Sequence, residues 1–127
     1  METIKQSYLI NSSPEKVWQA LTNPKIIEKW GAGPAEMDDK VGTNFKLWGG
    51  DIFGKNTKII VNQLLEQNWY GGDWDKPSKV TIKLTGKGDE TQLDLVQVNI
   101  PKEEAEGIAE GWKKFYFGPL KITVENK

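Results

Sequence analysis

The chain contains no histidine, no cysteine and no arginine, so all 17 of its basic residues are lysines. Without histidine it has no side chain that titrates near neutral pH and no imidazole metal ligand. Without cysteine it has no thiolate nucleophile, no thiolate zinc site and no disulfide. Without arginine it lacks the planar guanidinium that grips phosphate with two hydrogen bonds. The side chains that remain favour a binding protein over an enzyme.

The length and charge of the chain exclude several further classes of protein. Its 127 residues, 37% of them hydrophobic, predict a single domain over residues 1–127 with a real core. The net charge of −1 provides no field that would attract nucleic acid. No apolar run approaches the roughly 20 residues of a membrane span, and the first residues do not resemble a secretory signal. We therefore predict a cytoplasmic protein with neither a membrane nor a nucleic-acid partner.

The first part of the chain predicts a strand and two short helices. Residues 3–10 alternate in polarity, which is typical of a strand. The next helix has two candidate starts: Ser13 as the cap with Pro14 in the first turn, or Ser12 and Glu15 as a capping box. A second proline begins another helix, which we expect to end at Gly31.

Between residues 31 and 100 the sequence predicts strands separated by glycine-rich turns, and the short spacings favour antiparallel hairpins. The predicted strands are Thr43–Trp48, Ile52–Val61, Leu64–Tyr70, Lys79–Thr85 and Thr91–Ile100. In the last of them Leu93 and Leu95 share one face, whereas Val96, Val98 and Ile100 fall on the other. Either both faces are covered there or a bulge shifts the alternation.

The C-terminal part predicts one long amphipathic helix over residues 101–117, ended by Gly118 and Pro119. Its apolar stripe, which we expect to pack on the sheet, consists of Ala105, Ile108, Ala109, Trp112, Phe115 and Tyr116. Gly107 and Gly111 interrupt this helix. Either they let the helix approach the sheet closely, which we favour, or they leave room for a ligand beneath it.

These elements predict an α+β fold, in which a curved antiparallel sheet of about six to seven strands surrounds a long C-terminal helix. Folds of this kind often leave a cavity between helix and sheet. Trp48, Ile108, Trp112 and Phe115 are the candidates for its lining. If Trp112 lines a ligand cavity, Trp112→Ala should change ligand affinity more than stability.

Several motifs resemble a known family. Residues 13–24 with Trp30 resemble the entry to the START-like, helix-grip superfamily of hydrophobic-ligand binders. Residues 41–54, 69–74 and 111–117 are similar to the C-terminal domain of the activator of the ninety-kilodalton heat-shock-protein ATPase. Tyr70 stands where this family would have an arginine, and the co-chaperone's separate N-terminal domain lies outside the resemblance. The resemblance implies a non-enzymatic domain that binds a protein partner, a chaperone for example. The superfamily implies the alternative, a carrier or sensor of a small hydrophobic ligand.

Three further residues are candidates for a partner-facing surface. Trp69 ends a predicted strand, and Asp73 and Trp74 follow it at a glycine turn, where an exposed ring beside carboxylates could anchor an interface. Asp73 and Asp75 alone cannot supply the six to eight oxygens that calcium prefers, so we predict no metal site. The sequence has no phosphate-binding loop or nucleophile elbow, and we predict no cofactor and no catalytic residue. A cyclase-like activity, which the superfamily includes, is the most distant alternative.

Overall fold

A computed structural model describes residues 2–71 and 74–126. Its sheet is formed by six strands: β1 (Glu2–Ile10), β2 (Asn44–Leu47), β3 (Ile52–Ile60), β4 (Leu64–Gly71), β5 (Ser78–Lys87) and β6 (Glu90–Ile100). Two helices lie between β1 and β2, namely α1 (Pro14–Thr22) and α2 (Pro24–Trp30). The C-terminal helix has three consecutive segments: α3 (Lys102–Gly111), a π-helical segment (Trp112–Phe117) and α4 (Gly118–Glu125).

The strands form one antiparallel sheet in the order β1-β6-β5-β4-β3-β2. The sheet curves around the C-terminal helix, so the predicted α+β helix-grip fold is confirmed. Side chains of the inner face and of the three helical regions form one hydrophobic core. No helix of the described residues is long and apolar enough to cross a membrane.

The structure decides between the two candidate starts of α1. The Ser13 hydroxyl accepts a hydrogen bond from the Lys16 amide at 3.3 Å, and Pro14 occupies the first turn. Proline is favoured there because its missing N–H would have no partner within the helix. Asn23 then ends α1 and caps α2, which ends at Gly31 with a left-handed φ of 113°. Both short helices therefore begin and end where local chemistry predicts.

The alternation in β6 is shifted by a bulge, one of the two alternatives left open by the sequence. Asn99 has a φ of 62°, and the register with β1 shifts between Glu2 and Ile4. One extra residue in the strand moves the following side chain to the opposite face. Ile100 is consequently fully buried, although it belongs to the outward-facing set by simple counting.

The C-terminal helix does not end at Gly118 and Pro119, so that prediction is wrong. It continues through both residues because its hydrogen bonding widens: the Gly118 amide donates to the Lys113 carbonyl, five residues back. A Cβ at Gly118 would lie only 2.5 Å from that carbonyl oxygen, which is too close, so glycine is the residue that fits this position. The wider turn also accommodates Pro119, which has no amide hydrogen to contribute to an α-helical ladder.

The π-helical segment changes which side chains point into the core. Trp112, Tyr116 and Phe117 are at most 3% exposed, whereas Phe115 is 63% exposed. The rings of Trp112 and Phe117, five residues apart, stack with centroids 5.0 Å apart and planes 15° apart. The predicted core-facing position of Phe115 is therefore wrong, since the stripe was counted with an α-helical period.

Candidate functional site

An apolar groove of about 300 Å³ lies between the C-terminal helix and the β2–β3 end of the sheet. It is lined by Trp48, Asp51, Ile52, Trp69, Ile108, Gly111, Trp112, Phe115 and Tyr116. The β2–β3 turn supplies one wall, and α3 with the π-helical segment supplies the other. Its size lies at the lower end of the range of small-molecule sites.

The groove exists because α3 does not pack fully onto the sheet. No side chain of α3 is buried, and Ala105, Ile108 and Ala109 are only half-buried. The Gln6 side-chain amide of β1 donates to the Ala109 carbonyl at 2.8 Å, which holds α3 near one edge of the sheet. The far side of α3 therefore remains open toward the β2–β3 turn.

The two glycines of α3 do not bring the helix close to the sheet, so the favoured explanation is wrong. A Cβ at Gly107 would meet nothing within 4 Å, and one at Gly111 would meet only Phe115 Cδ2, at 4.0 Å. Gly111 lines the groove, where its missing side chain leaves space. The structure thus agrees with the alternative explanation for Gly111, and it gives no packing reason for Gly107.

Two tryptophan rings form the floor of the groove, and buried amides hold both. Trp69 on β4 and Trp112 pack with centroids 4.6 Å apart. The Trp69 indole donates to Gln67 Oε1 at 2.8 Å, and the Trp112 indole donates to Gln97 Oε1 at 2.7 Å. Both glutamines lie on the inner face of the sheet and are fully buried. Each indole N–H is therefore satisfied and its ring orientation is fixed.

The two glutamines are in turn held by other buried polar groups. Gln67 Nε2 donates to Asn56 Oδ1 at 2.8 Å, and Gln97 Nε2 donates to the Ser78 hydroxyl at 3.0 Å. The Ser78 hydroxyl donates to the Val98 carbonyl at 2.6 Å. A network in which each member has partners rigidifies what it supports. The groove floor is accordingly a preorganised surface.

The wall formed by the β2–β3 turn contains a strained residue. Trp48 has a φ of 50°, a left-handed conformation that bulky residues rarely adopt. Its amide donates to the Ala32 carbonyl at 2.8 Å, and the next amide, of Gly49, donates to the Pro34 carbonyl at 3.0 Å. Strain of this kind costs about 1–3 kcal/mol and is concentrated at functional sites. Here it places a half-buried indole at the groove.

Tyr116 is a buried polar residue of the groove wall. It is 1% exposed, and its hydroxyl has no hydrogen-bond partner among the described residues. Burial raises the pKa of this phenol well above its ordinary value of 10.0, so the ring is neutral at physiological pH. Among the described residues that line the groove, Asp51, which is exposed, is the only ionisable one besides this neutral phenol. The groove is therefore suited to apolar groups.

The structure brings the four predicted cavity residues together. Trp48, Ile108, Trp112 and Phe115 all line the groove, with Phe115 at its exposed rim and Trp112 almost fully buried. The role of these residues in binding stays a prediction.

The three predicted partner-surface residues are not found together at a surface. Trp69 is 5% exposed, so its expected surface position is wrong: the inward alternation of β4 places it in the core. Trp74 is half-buried, and its indole donates to Glu104 Oε2 of α3 at 2.8 Å. Asp73 lies outside the described residues.

Sequence reasoning missed the residues that support the groove. Gln67 and Gln97 follow Leu65 and Leu95 on the inward face of their strands, so simple alternation already indicated that both amides are buried. Gln67 also lies two residues before Trp69, on the same face. Asp51 and Ile52 gave no signal, because only the turn that precedes β3 brings them to the helix. The described residues contain no cluster of three acidic side chains that could hold a metal ion.

Comparison with known proteins places this geometry in a family. The model for the "Activator of Hsp90 ATPase homolog 1-like protein" family matches residues 11–125. The chain belongs to this family. The predicted resemblance to this family is therefore confirmed.

Two curated relatives and one solved structure illustrate the similarity. The human activator of 90 kDa heat shock protein ATPase homolog 1 is 28% identical over 123 residues, which are 95% of this chain and 36% of the relative. The Dictyostelium discoideum homologue is 28% identical over 125 residues, which are 96% of this chain and 33% of the relative. A crystal structure of an HSP90 activator from Plasmodium falciparum has a TM-score of 0.87 and 26% identity, and covers 96% of this chain and 95% of that one.

The chain thus spans about a third of the length of the curated relatives it matches. The relatives are named as activators of another protein's ATPase.

Proposed function

We propose that this chain is a non-enzymatic, co-chaperone-like binding domain whose partner is a 90 kDa heat-shock protein. Its groove accepts one or two apolar side chains of that partner. The observation that carries the proposal is the position of Phe115, an aromatic ring that is 63% exposed at the rim of an apolar groove. The names of the relatives support the identity of the partner.

The rim and the floor of the groove differ in rigidity and in accessibility. The floor is rigid because buried amides hold Trp69 and Trp112. The rim is accessible, since Ile108 is half-buried and Phe115 is largely exposed. A rigid apolar pocket with an aromatic at its edge is typical of the anchoring centres of protein interfaces.

Phe115→Ala tests the proposal. Loss of this ring should weaken binding to purified 90 kDa heat-shock protein by roughly 10-fold or more, the effect expected of an interface anchor. Isothermal titration calorimetry measures the affinity, and a coupled assay measures whether the chain raises the chaperone's ATPase rate. Because Phe115 is exposed, the variant should retain its melting temperature.

Ile122→Ala is the matched control. Ile122 lies on the same helix, is 71% exposed and does not line the groove. If both variants bind like the unaltered chain, the groove is not the contact surface. If the unaltered chain does not bind the chaperone at all, the identity of the partner is wrong.

A second candidate function is the carriage or sensing of a small hydrophobic ligand in the same groove. The space left by Gly111, in a groove of about 300 Å³ with an apolar lining, favours this candidate. Native mass spectrometry of chain purified gently from its host would reveal an added mass of a few hundred daltons. Gly111→Leu, which fills the groove, should abolish that added mass, whereas Gly107→Leu on the exposed side of α3 should preserve it.

A further inference from the structure

The outer face of the sheet differs strongly in charge from the rest of the molecule. The strand registers place seven exposed lysines on it: Lys5, Lys46, Lys55, Lys58, Lys79, Lys83 and Lys87. Among the described residues four carboxylates share that face: Glu66, Glu90 and Asp94 on the strands, and Glu36, which pairs with Lys46 at the edge of the sheet. These residues give the face a net charge of +3, although the whole chain carries −1. The remainder of the molecule is correspondingly acidic.

The unbalanced charge is concentrated at the β2–β5 end of the face. At the other end, Lys83 and Lys87 lie across from Asp94 and Glu90, and both lysines help to keep the pKa of Asp94 below its ordinary value, after the larger effect of its hydrogen bond from Ser7. At the β2–β5 end four lysines face two carboxylates. We call this region the basic patch; it comprises Lys46, Lys55, Lys58 and Lys79 with Glu36 and Glu66.

Exposed ion pairs neutralise the basic patch only weakly. Lys79 Nζ lies 4.0 Å from Glu66 Oε1, and Lys46 Nζ lies 3.7 Å from Glu36 Oε2. Such long, solvated pairs contribute little. Lys55 forms no ion pair within 4.0 Å in the part of the chain that the structure describes.

An aromatic pair of one exposed and one half-buried ring lies within the basic patch. Phe53 and Tyr70 are paired across β3 and β4, and their rings stack with centroids 5.4 Å apart and planes 9° apart. Phe53 is 41% exposed, on a face that is otherwise mostly polar. Lys46 lies directly across from Phe53 on the neighbouring strand. A shallow depression beside the pair is lined by Asn44, Asn68 and Lys55.

We propose that the basic patch and its Phe53–Tyr70 pair form a second docking surface, for an acidic segment of a protein partner. An aromatic anchor supplies apolar contact, and the surrounding lysines attract carboxylates and raise the association rate. The proposal rests on the proposed function only in taking the partner to be a protein.

Two observations favour an acidic protein over a nucleic acid. The chain has no arginine, so it cannot grip phosphates with two hydrogen bonds each. The rings of Phe53 and Tyr70 stack on each other, which leaves less of their faces for stacked bases. In addition, a long polyanion would meet the acidic remainder of the molecule, whereas an acidic segment of a protein can be confined to the patch.

The test compares two variants with the same change in charge. Lys46→Glu with Lys55→Glu reverses the patch, and Lys25→Glu with Lys29→Glu reverses two exposed lysines of α2. The first probe is purified 90 kDa heat-shock protein, measured at low and at high salt. We expect the patch variant to bind roughly 10-fold or more weakly at low salt and the α2 variant to bind like the unaltered chain. Equal losses in both variants would overturn the proposal.

A second probe keeps the patch testable if the chaperone does not bind, an outcome that would overturn the proposed function alone. This probe is a short synthetic peptide of glutamates around one tryptophan, titrated into isotope-labelled chain. Amide shifts confined to Phe53, Lys55 and Tyr70, and abolished by Phe53→Ala, would support the docking surface. Shifts elsewhere, or none, would overturn it.

Two further measurements distinguish other occupants of the patch. The first measurement uses a DNA oligonucleotide of the same charge as the peptide. If it binds more tightly than the peptide, and only when the patch is intact, a protein is not the occupant. The second measurement is sedimentation. If the unaltered chain self-associates and the patch variant does not, a second copy of the chain is the occupant, and the proposal of an acidic partner is overturned.

Discussion

Between Lys102 and Gly111 the C-terminal helix buries no side chain, whereas the next nine residues bury Trp112, Tyr116, Phe117 and Leu120. Both halves are helical and both lie over the same sheet. The first half is held near β1 and leaves a groove beside it; the second half forms part of the core. The difference shows that one helix can pack loosely in one segment and tightly in the next, and the groove lies where the two segments meet.

The π-helical segment marks the boundary between these halves. One extra residue in the turn directs Phe117 inward and leaves Phe115 at the surface. Segments of this kind often occur at functional sites because the altered turn changes which side chains are presented. The groove spans this boundary, since Ile108 and Gly111 line it before the boundary and Trp112, Phe115 and Tyr116 line it after.

Trp112→Ala should have the largest effect on stability, and it tests whether the second half of the helix belongs to the core. Trp112 is 3% exposed, so the variant should lose about 3–5 kcal/mol in its free energy of unfolding. It would also leave Gln97 Oε1 without its donor. The expectation that this variant changes ligand affinity, which holds if Trp112 lines a ligand cavity, stays a prediction. Urea denaturation measures the loss. Phe115→Ala is the control, and it should change stability little. A loss below about 1 kcal/mol for Trp112→Ala would mean that the two positions do not differ in this way.

Gly118→Ala should have an intermediate effect, and it tests whether the widened turn depends on glycine. The added methyl would lie 2.5 Å from the Lys113 carbonyl oxygen, so the backbone must shift, at a cost of about 1–3 kcal/mol. Thermal melting followed by circular dichroism measures the change.

Gly107→Ala is the matched substitution in the other half of the helix. Its methyl would meet nothing within 4 Å, and alanine favours helix over glycine by about 1 kcal/mol, so this variant should be stabilised. If both alanine variants changed stability in the same direction, the two halves would not differ as described.

Tyr116→Phe should have the smallest effect at neutral pH. The buried hydroxyl has no partner among the described residues, so its removal should stabilise the fold by about 1 kcal/mol. The pKa of Tyr116 is raised in the folded state by burial, so the unfolded chain loses this proton first as the pH rises above 10.0. The stability of the unaltered chain should therefore fall above that pH more steeply than that of the variant.

Denaturation curves of both proteins, measured between pH 8 and 11, check this difference in pH dependence. Parallel curves for the two proteins, or a marked loss of stability in the variant at neutral pH, would mean that the hydroxyl forms a stabilising interaction in solution. The packed half of the helix would then contain no unsatisfied polar group at this position.

Much of the fold could be predicted because its signals are local. Glycine-rich turns and alternation of polarity located all six strands to within about two residues, and Ser13, Pro14 and Gly31 marked helix boundaries by their own backbone chemistry. The four residues predicted for a cavity do line one groove, because a helix packed across a curved sheet must face it with its apolar side, and their role in binding stays a prediction. The family resemblance added the topology.

The failures lie where two distant segments decide the outcome together. Nothing near Trp69 in sequence shows that its ring meets Trp112, and nothing near Gly118 shows that a five-residue hydrogen bond carries the helix past a proline. The expected roles of Gly107 and Gly111 were wrong or incomplete because they depend on how far α3 stands from the sheet. That distance is set by contacts with β1.

The sequence by itself determined the class of fold, the positions of its elements and the absence of histidine, cysteine and arginine chemistry, because propensity, alternation and composition act over a few neighbouring residues. The tertiary structure alone decided that the Trp69 ring meets Trp112, that Phe115 is exposed, and that seven lysines share the outer face of the sheet. Those outcomes depend on strand register and on helix-to-sheet packing, which join residues that are far apart in the chain.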